Sequence, residues 1–139
     1  MNDSPVLSAL KAKGRRITTA RAAIVEYFVA SRGPFSAANI FGVLKKQKLR
    51  TDLATVYREL AFLLGEGILR EVQFNDGVRR YEILSDDHHH HLVCTSCHSI
   101  QDVHMDQDLD AVEKLIEKET SFKVQSHTLE FYGLCSQCA

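Results

Sequence analysis

The sequence predicts an α+β fold in two parts, an N-terminal winged helix followed by a small α/β domain built around four cysteines. Three observations carry this reading. Apolar residues repeat at helical spacing through residues 5–65, then give way to two short β-type runs around Asn75-Asp76-Gly77. Two Cys-x-x-Cys pairs, Cys94/Cys97 and Cys135/Cys138, are separated by 37 intervening residues. Charge divides the chain between the same two parts: residues 1–80 hold 14 Lys and Arg against 7 Asp and Glu, whereas residues 81–139 hold 3 against 11. All seven His and all four Cys fall in the second part. A basic half and an acidic half rich in metal-ligand types imply polyanion binding first and cation binding second.

Val6, Leu7 and Leu10 give a short helix over residues 5–13, which Gly14 ends. Thr18 or Thr19 caps a second helix reaching residue 30, with Ile24, Val25, Phe28 and Val29 on one side. Ser31-Arg32-Gly33-Pro34 stops it, because glycine supplies a C-cap and proline cannot continue. Ser36 caps a third helix carrying Ile40, Phe41, Val43 and Leu44, and Lys45-Lys46-Gln47-Lys48 is its basic exit. Thr51 or Asp52 caps a fourth, with Leu53, Val56, Leu60, Leu63 and Leu64 as the buried stripe and Gly65 and Gly67 as the stop. Strands over 68–74 and 78–84 flank an Asp-Gly turn suited to a tight hairpin. Three helices and a hairpin are the parts of a winged helix. The boundary falls at Ser85-Asp86-Asp87, giving domains 1–84 and 85–139. Beyond it, residues 92–94 and 100–104 make a hairpin around a Cys knuckle. Leu109, Val112, Leu115 and Ile116 mark a helix, and 122–131 a last strand.

The 139 residues are 45% hydrophobic and 25% charged, an ordinary globular composition. Two domains of roughly 60–80 residues each have a thin core and call for a staple, a metal or a partner subunit. No run approaches the roughly 18 apolar residues of a membrane span, and residues 1–10 lack the basic-then-apolar pattern of a secretory signal. A cytoplasmic protein without membrane partners is expected.

A Cys-x-x-Cys pair presents two thiolates from one tight turn, and two such turns complete a tetrahedral four-sulfur shell suited to zinc. A redox pair would stand alone, and disulfides do not suit the cytoplasm. Cys94, Cys97, Cys135 and Cys138 are therefore expected to hold a structural zinc. A closed shell leaves no open position for catalysis.

His88-His89-His90-His91 precedes the first knuckle. In an extended segment alternate side chains share a face, so His89 and His91 form one pair and His88 and His90 the other. Each pair can chelate a divalent ion with partners drawn from Glu82, Asp102, Asp110 and His127. Imidazole with carboxylate suits iron, manganese, zinc, cobalt or nickel without choosing among them. His98 and His104 stand alone and read as surface residues.

On the fourth helix, turning past the apolar stripe leaves Ala54, Thr55, Tyr57 and Arg58 on the open side. Small residues allow close approach to a groove, Arg reads guanine or clamps phosphate, and Tyr reaches phosphate or a thymine methyl. Arg15, Arg16, Arg21, Arg50 and the Lys45–Lys48 cluster are candidate phosphate contacts.

These residues resemble the ferric uptake regulator superfamily over nearly the whole chain. The resemblance is carried by Arg16-Ile-Thr-Thr-Ala-Arg21, Asp52-Leu-Ala-Thr-Val-Tyr-Arg58 and Arg80-Tyr-Glu-Ile83. It extends through His88-His-His-His-Leu-Val-Cys-Thr-Ser-Cys97 and His127 followed by Tyr132-Gly-Leu-Cys-Ser-Gln-Cys138. It implies a homodimer that binds a palindromic operator in double-stranded DNA when metal-loaded, usually as a repressor. It further implies a regulatory site of Glu82, His89, His91 and Asp102, an additional site of His88, His90, Asp110 and His127, and the four-cysteine zinc. The regulatory ion would be Fe(II), Zn(II) or Mn(II). Arg16 matches a basic residue that reaches the minor groove, and Tyr57 and Arg58 match the recognition helix.

The sequence departs from this pattern in two places. Pro34 stands where the family usually takes a further His for the regulatory site, and His90 stands where iron regulators commonly carry Asp. The extra hinge Cys of zinc sensors is absent, and Asp102 is compatible with peroxide-sensing relatives, whereas Glu82 is a less typical match to them. An iron-type regulator of metal-homeostasis genes is the expected function, with zinc, nickel or peroxide sensing as alternatives. An enzyme is not expected, since H-E-x-x-H and zinc-deaminase patterns are missing. A metal-buffering protein is the competing class.

Overall fold

The computed structural model describes residues 4–85, 88–105 and 109–139. The chain forms two compact units, Met1–Ser85 and Asp86–Ala139.

In the first unit each helix begins at a side-chain cap. Ser4 Oγ accepts from the Val6 N–H at 3.2 Å ahead of α1 (Pro5–Ala12), and Thr18 Oγ1 accepts from the Arg21 N–H at 3.1 Å ahead of α2 (Thr19–Ser31). A two-residue strand β1 (Phe35–Ser36) leads into α3 (Ala37–Lys46). There Ser36 and Asn39 cap each other's backbone N–H reciprocally, at 3.1 and 3.0 Å. Asp52 Oδ1 accepts from the Thr55 N–H at 2.7 Å to start α4 (Leu53–Gly65). This bond, with that from the Thr55 hydroxyl as the larger cause, holds the Asp52 carboxyl below its ordinary range.

Strands β2 (Leu69–Phe74) and β3 (Val78–Ile83) pair antiparallel from Leu69↔Ile83 to Phe74↔Val78, turning at Gly77 with φ +72°. β1 adds to the other side of β3, giving the order β1-β3-β2. The core holds Leu7, Leu10, Ile24, Val25, Phe28, Ile40, Leu44, Val56, Leu60, Leu63 and Leu69. Periodicity overstated the stripe at two points: Leu53 and Val29 are 40% and 41% exposed. Leu53 is the first residue of α4 and Val29 lies in the last turn of α2, where side chains run past the packed layer. Alternation could not reveal β1, which is two residues long.

The end of α2 also differs from the glycine cap expected. Arg32 takes the left-handed conformation (φ +64°) and closes the helix. Gly33 is required for a different reason. A Cβ there would lie 2.7 Å from the Tyr81 carbonyl oxygen and 3.1 Å from Glu82 Cα, and its φ is +94°. The loop lies flat on β3, and only a residue without a side chain fits.

In the second unit, β4 (His90–Cys94) is the middle strand. It pairs antiparallel with β5 (Ile100–Val103) and parallel with β6 (Glu130–Gly133), in the order β5-β4-β6. Helix α5 covers Asp110–Thr120. The strand expected over 122–131 shrinks to β6, because five-residue β4 offers partners only from His91↔Glu130 to Cys94↔Gly133. Among the described residues of this unit, the buried ones are His90, His91 and Cys94. Val112, Leu115 and Ile116 on α5 are 51%, 53% and 41% exposed. This unit buries metal-ligand types in place of an aliphatic core. Among the described residues no helix is long and apolar enough to cross a membrane.

Candidate metal clusters and nucleic-acid interface

The two cysteine knuckles meet because β4 ends beside β6. The Thr95 N–H donates to the Gly133 carbonyl at 2.8 Å, placing Cys135 next to Cys94 and Cys97. All four Sγ atoms lie within 4.8 Å of one another, and Cys97 and Cys135 are 3.7 Å apart. Four sulfurs about 2.3 Å from one ion at tetrahedral corners are separated by about 3.8 Å, so the cluster fits zinc. The backbone prepares the ligands. N–H groups of Cys97 and Cys135 point at Cys94 Sγ (3.5 and 3.4 Å) and lower its thiol to about 6. The Gln137 N–H, ahead of the Cys138 thiol, likewise lowers Cys135. The Ser96 hydroxyl pulls Cys138 down, but the Cys135 and Cys97 sulfurs and burial outweigh it and push that thiol up to about 11. Four sulfurs crowd here without room for four charges, which a divalent cation would relieve.

On one face of β4 and the residues before it, His88, His90 and His127 gather with ring centres 4.8, 5.2 and 5.7 Å apart. Two imidazoles on one ion, with nitrogens about 2.1 Å away, place their ring centres about 4.5–5.2 Å apart at angles of 90–109°. His127 Nδ1 is 2.6 Å from Glu113 Oε1, while its Nε2 is buried with no hydrogen-bond partner. A carboxylate that accepts a hydrogen bond from Nδ1–H leaves Nε2 with its lone pair free to bind, the arrangement of a metal-bound histidine. Burial first, then His88 and His127, lowers the pKa of His90. Asp110, expected as the fourth member, lies outside this close group. It is exposed at the first position of α5, and Glu113, three residues on, faces His127 instead.

The opposite face carries His89 and His91, with ring centres 5.0 Å apart. Asp102 is the cross-strand partner of His91, with Oδ1 3.7 Å from Nε2. His104, read from sequence as a lone surface residue, has its ring 6.1 Å from that of His89. Glu82 belongs to the first unit, buried near the end of β3, where the Arg70 Nε donates to Oε1 at 2.6 Å.

The first unit presents the residues expected at a nucleic-acid face along α4. Ala54, Tyr57 (50% exposed) and Arg58 are open to solvent, and Thr55 is half-buried. Arg58 Nη2 donates to Thr55 Oγ1 at 3.1 Å, which holds the guanidinium along the helix. Arg16 is exposed. Arg21 is not available for phosphate: it grips Glu59 through two bonds of 2.7 and 3.1 Å and lies 3.7 Å over the Phe62 ring. Arg15 is 2.8 Å from Glu66. Arg79 on the hairpin is 65% exposed and ion-paired with Glu71 at 3.0 Å.

A family model described as the ferric uptake regulator family matches residues 12–132. The chain belongs to that family. It is a metal-dependent DNA-binding transcriptional regulator. It is 38% identical to the peroxide operon regulator of Bacillus subtilis over 133 residues, covering 96% of this chain and 90% of that protein. The ferric uptake regulation protein of the same organism is 32% identical over 133 residues, covering 93% and 89%. Among solved structures, the Helicobacter pylori ferric uptake regulator, described as having three functional metal binding sites, matches with a TM-score of 0.78. It is 25% identical, covering 96% of this chain and 88% of that one. Within this family the winged helix and the cysteine-bound α/β unit are the α+β fold that the sequence predicts.

Proposed function

We propose that this regulator is a homodimeric repressor whose grip on a palindromic operator follows occupancy of the His89, His91 and Asp102 cluster. The carrying observation is that the second unit buries His90, His91 and Cys94 and has no aliphatic core among its described residues. Its residues are arranged around cations, and the open apolar side of α5, with Val112, Leu115 and Ile116, supports pairing with a second copy. In this reading Cys94, Cys97, Cys135 and Cys138 hold a structural zinc. His88, His90 and His127 hold an additional ion, with Asp110 left to an outer role. Glu82 remains the ligand that family resemblance implies for the regulatory set. The protein divides at residue 84 or 85 into a DNA-binding and a dimerisation domain.

Ala54, Thr55, Tyr57 and Arg58 would enter the major groove at the start of α4, with Arg16 in the adjoining minor groove. In a dimer the two recognition helices face half-sites about 34 Å apart, or a multiple of that, so operator symmetry mirrors protein symmetry. A bound divalent ion supplies a fixed cross-link among otherwise separate side chains. The residues respond by holding one shape of the dimer. About 5.5 kcal/mol of preference suffices to move a population from 1:99 to 99:1. The test is selection of duplexes from a random pool by protein loaded with Fe(II), Mn(II), Zn(II), Co(II) or Ni(II), with metal analysis of each sample. A shared palindrome recovered only with loaded protein supports the reading, and recovery of no sequence with any ion refutes it.

A peroxide-responsive regulator is the second reading, favoured by the 38% identity to the peroxide operon regulator and by Asp102 beside His91. Peroxide would then release iron-loaded protein from its duplex and leave manganese-loaded protein bound.

A further inference from the structure

Family resemblance places a further histidine of the regulatory set in the loop before α3, but this chain has Pro34 there, which offers no donor. Glu82 is ion-paired with Arg70 in the first unit. Within the second unit His89, His91 and Asp102 supply three donors; with Glu82, which the proposed function keeps in the set, they number four, one short of the set whose further histidine Pro34 replaces.

The hairpin of β4 and β5 offers another. His91 pairs with Asp102 and His90 with Val103; one step beyond that last pair stand His89 and His104. Side chains two apart on a strand share a face, and directly opposed residues share it too. His89, His91, Asp102 and His104 therefore occupy the four corners of one patch on one face of the hairpin. The ring of His104 is already the neighbour of the His89 ring at 6.1 Å, with the two planes tilted 53°. That separation exceeds the roughly 5.2 Å of two imidazoles on a tetrahedral ion by about 1 Å. His104 is exposed at the end of β5, so a small rotation of its own side chain closes the gap without moving the ladder.

We propose that His104 is a ligand of the regulatory ion, so that one hairpin gives that ion three imidazoles and one carboxylate, from His89, His91, His104 and Asp102. His104 takes the place of the donor lost at Pro34. Three nitrogens favour Zn(II), Ni(II) or Fe(II) over the harder Mn(II). The inference rests on the regulatory reading of His89 and His91.

The experiment uses the full chain with zinc on its thiolates, titrated with Co(II) and followed by proton NMR. Each histidine bound through one nitrogen contributes one strongly shifted ring N–H signal from the other. In a His88→Ala/His127→Ala background, which removes two of the three imidazoles on the opposite face, one equivalent of cobalt should give three such signals. His104→Ala should reduce them to two and weaken cobalt binding at least about tenfold. In the otherwise unaltered chain the same substitution should remove one signal from the total. His98→Ala, at an exposed position on the knuckle, should remove none. Two signals before substitution, or a count and affinity unchanged by His104→Ala, would overturn the role of His104 while leaving the regulatory site in place. No shifted signal at all would overturn both.

Discussion

Cys97→Ser tests whether the second unit folds without its sulfur shell. The unit spans Asp86–Ala139, 54 residues. At roughly 0.05–0.15 kcal/mol per residue, a unit of that length has about 3–8 kcal/mol of stability in total. Structural zinc contributes about 10–16 kcal/mol in small zinc-binding peptides, which exceeds that total. Buried apolar side chains that would compensate belong to the other unit: Ile24, Val25, Phe28, Leu60 and Leu63. Losing the Cys97 sulfur breaks a shell whose neighbour stands 3.7 Å away, and β4, which carries Cys94 at its end, should lose its anchor. Hydrogen exchange of the full chain, read by mass spectrometry beside zinc analysis, separates the units. Residues 90–94, 100–103 and 130–133 should exchange as in an unfolded chain, while 24–28 and 56–63 keep their protection. A zinc-free variant with β4 still protected would mean that the unit folds without its metal.

Three other perturbations address the first unit. Gly33→Ala forces a Cβ to 2.7 Å from the Tyr81 carbonyl at a φ of +94°, so thermal unfolding should show a loss of about 1–3 kcal/mol; an unchanged melting temperature contradicts the fit described. Arg58→Ala should weaken operator binding by about 1–3 kcal/mol with zinc content unchanged, and loss of zinc would contradict the separation of roles. The lowered pKa of Asp52 adds stability that is present above the unfolded value, about 3.9, and is lost as pH falls through the folded value. Asparagine caps a helix equally well without titrating. Asp52→Asn should therefore flatten the loss of stability in urea melts below about pH 4, and identical pH slopes would contradict it.

The winged helix was legible because each of its boundaries has a local chemical cause. Thr18, Ser36 and Asp52 cap the helices where sequence patterns put them, and Gly77 turns the hairpin. The four sulfurs were legible from spacing alone, since two knuckles of that form have few other uses. Strand alternation also separated the four consecutive histidines into the two pairs that are in ring contact. What escaped notice depended on register. His104 reads as solitary until β5 is aligned with β4, and Glu113 shares a face with His127 only once α5 is placed. Arg21 read as a free cation because its partner, Glu59, is 38 positions away.

The most direct test compares one protein in two states on one duplex, the palindrome selected in the experiment above. In the first state zinc sits on the sulfurs alone; in the second, the imidazole and carboxylate groups are also saturated. Saturation should tighten binding by a factor of about 5–150, with a steep loss at higher salt in both states. Equal dissociation constants for the two states would contradict it.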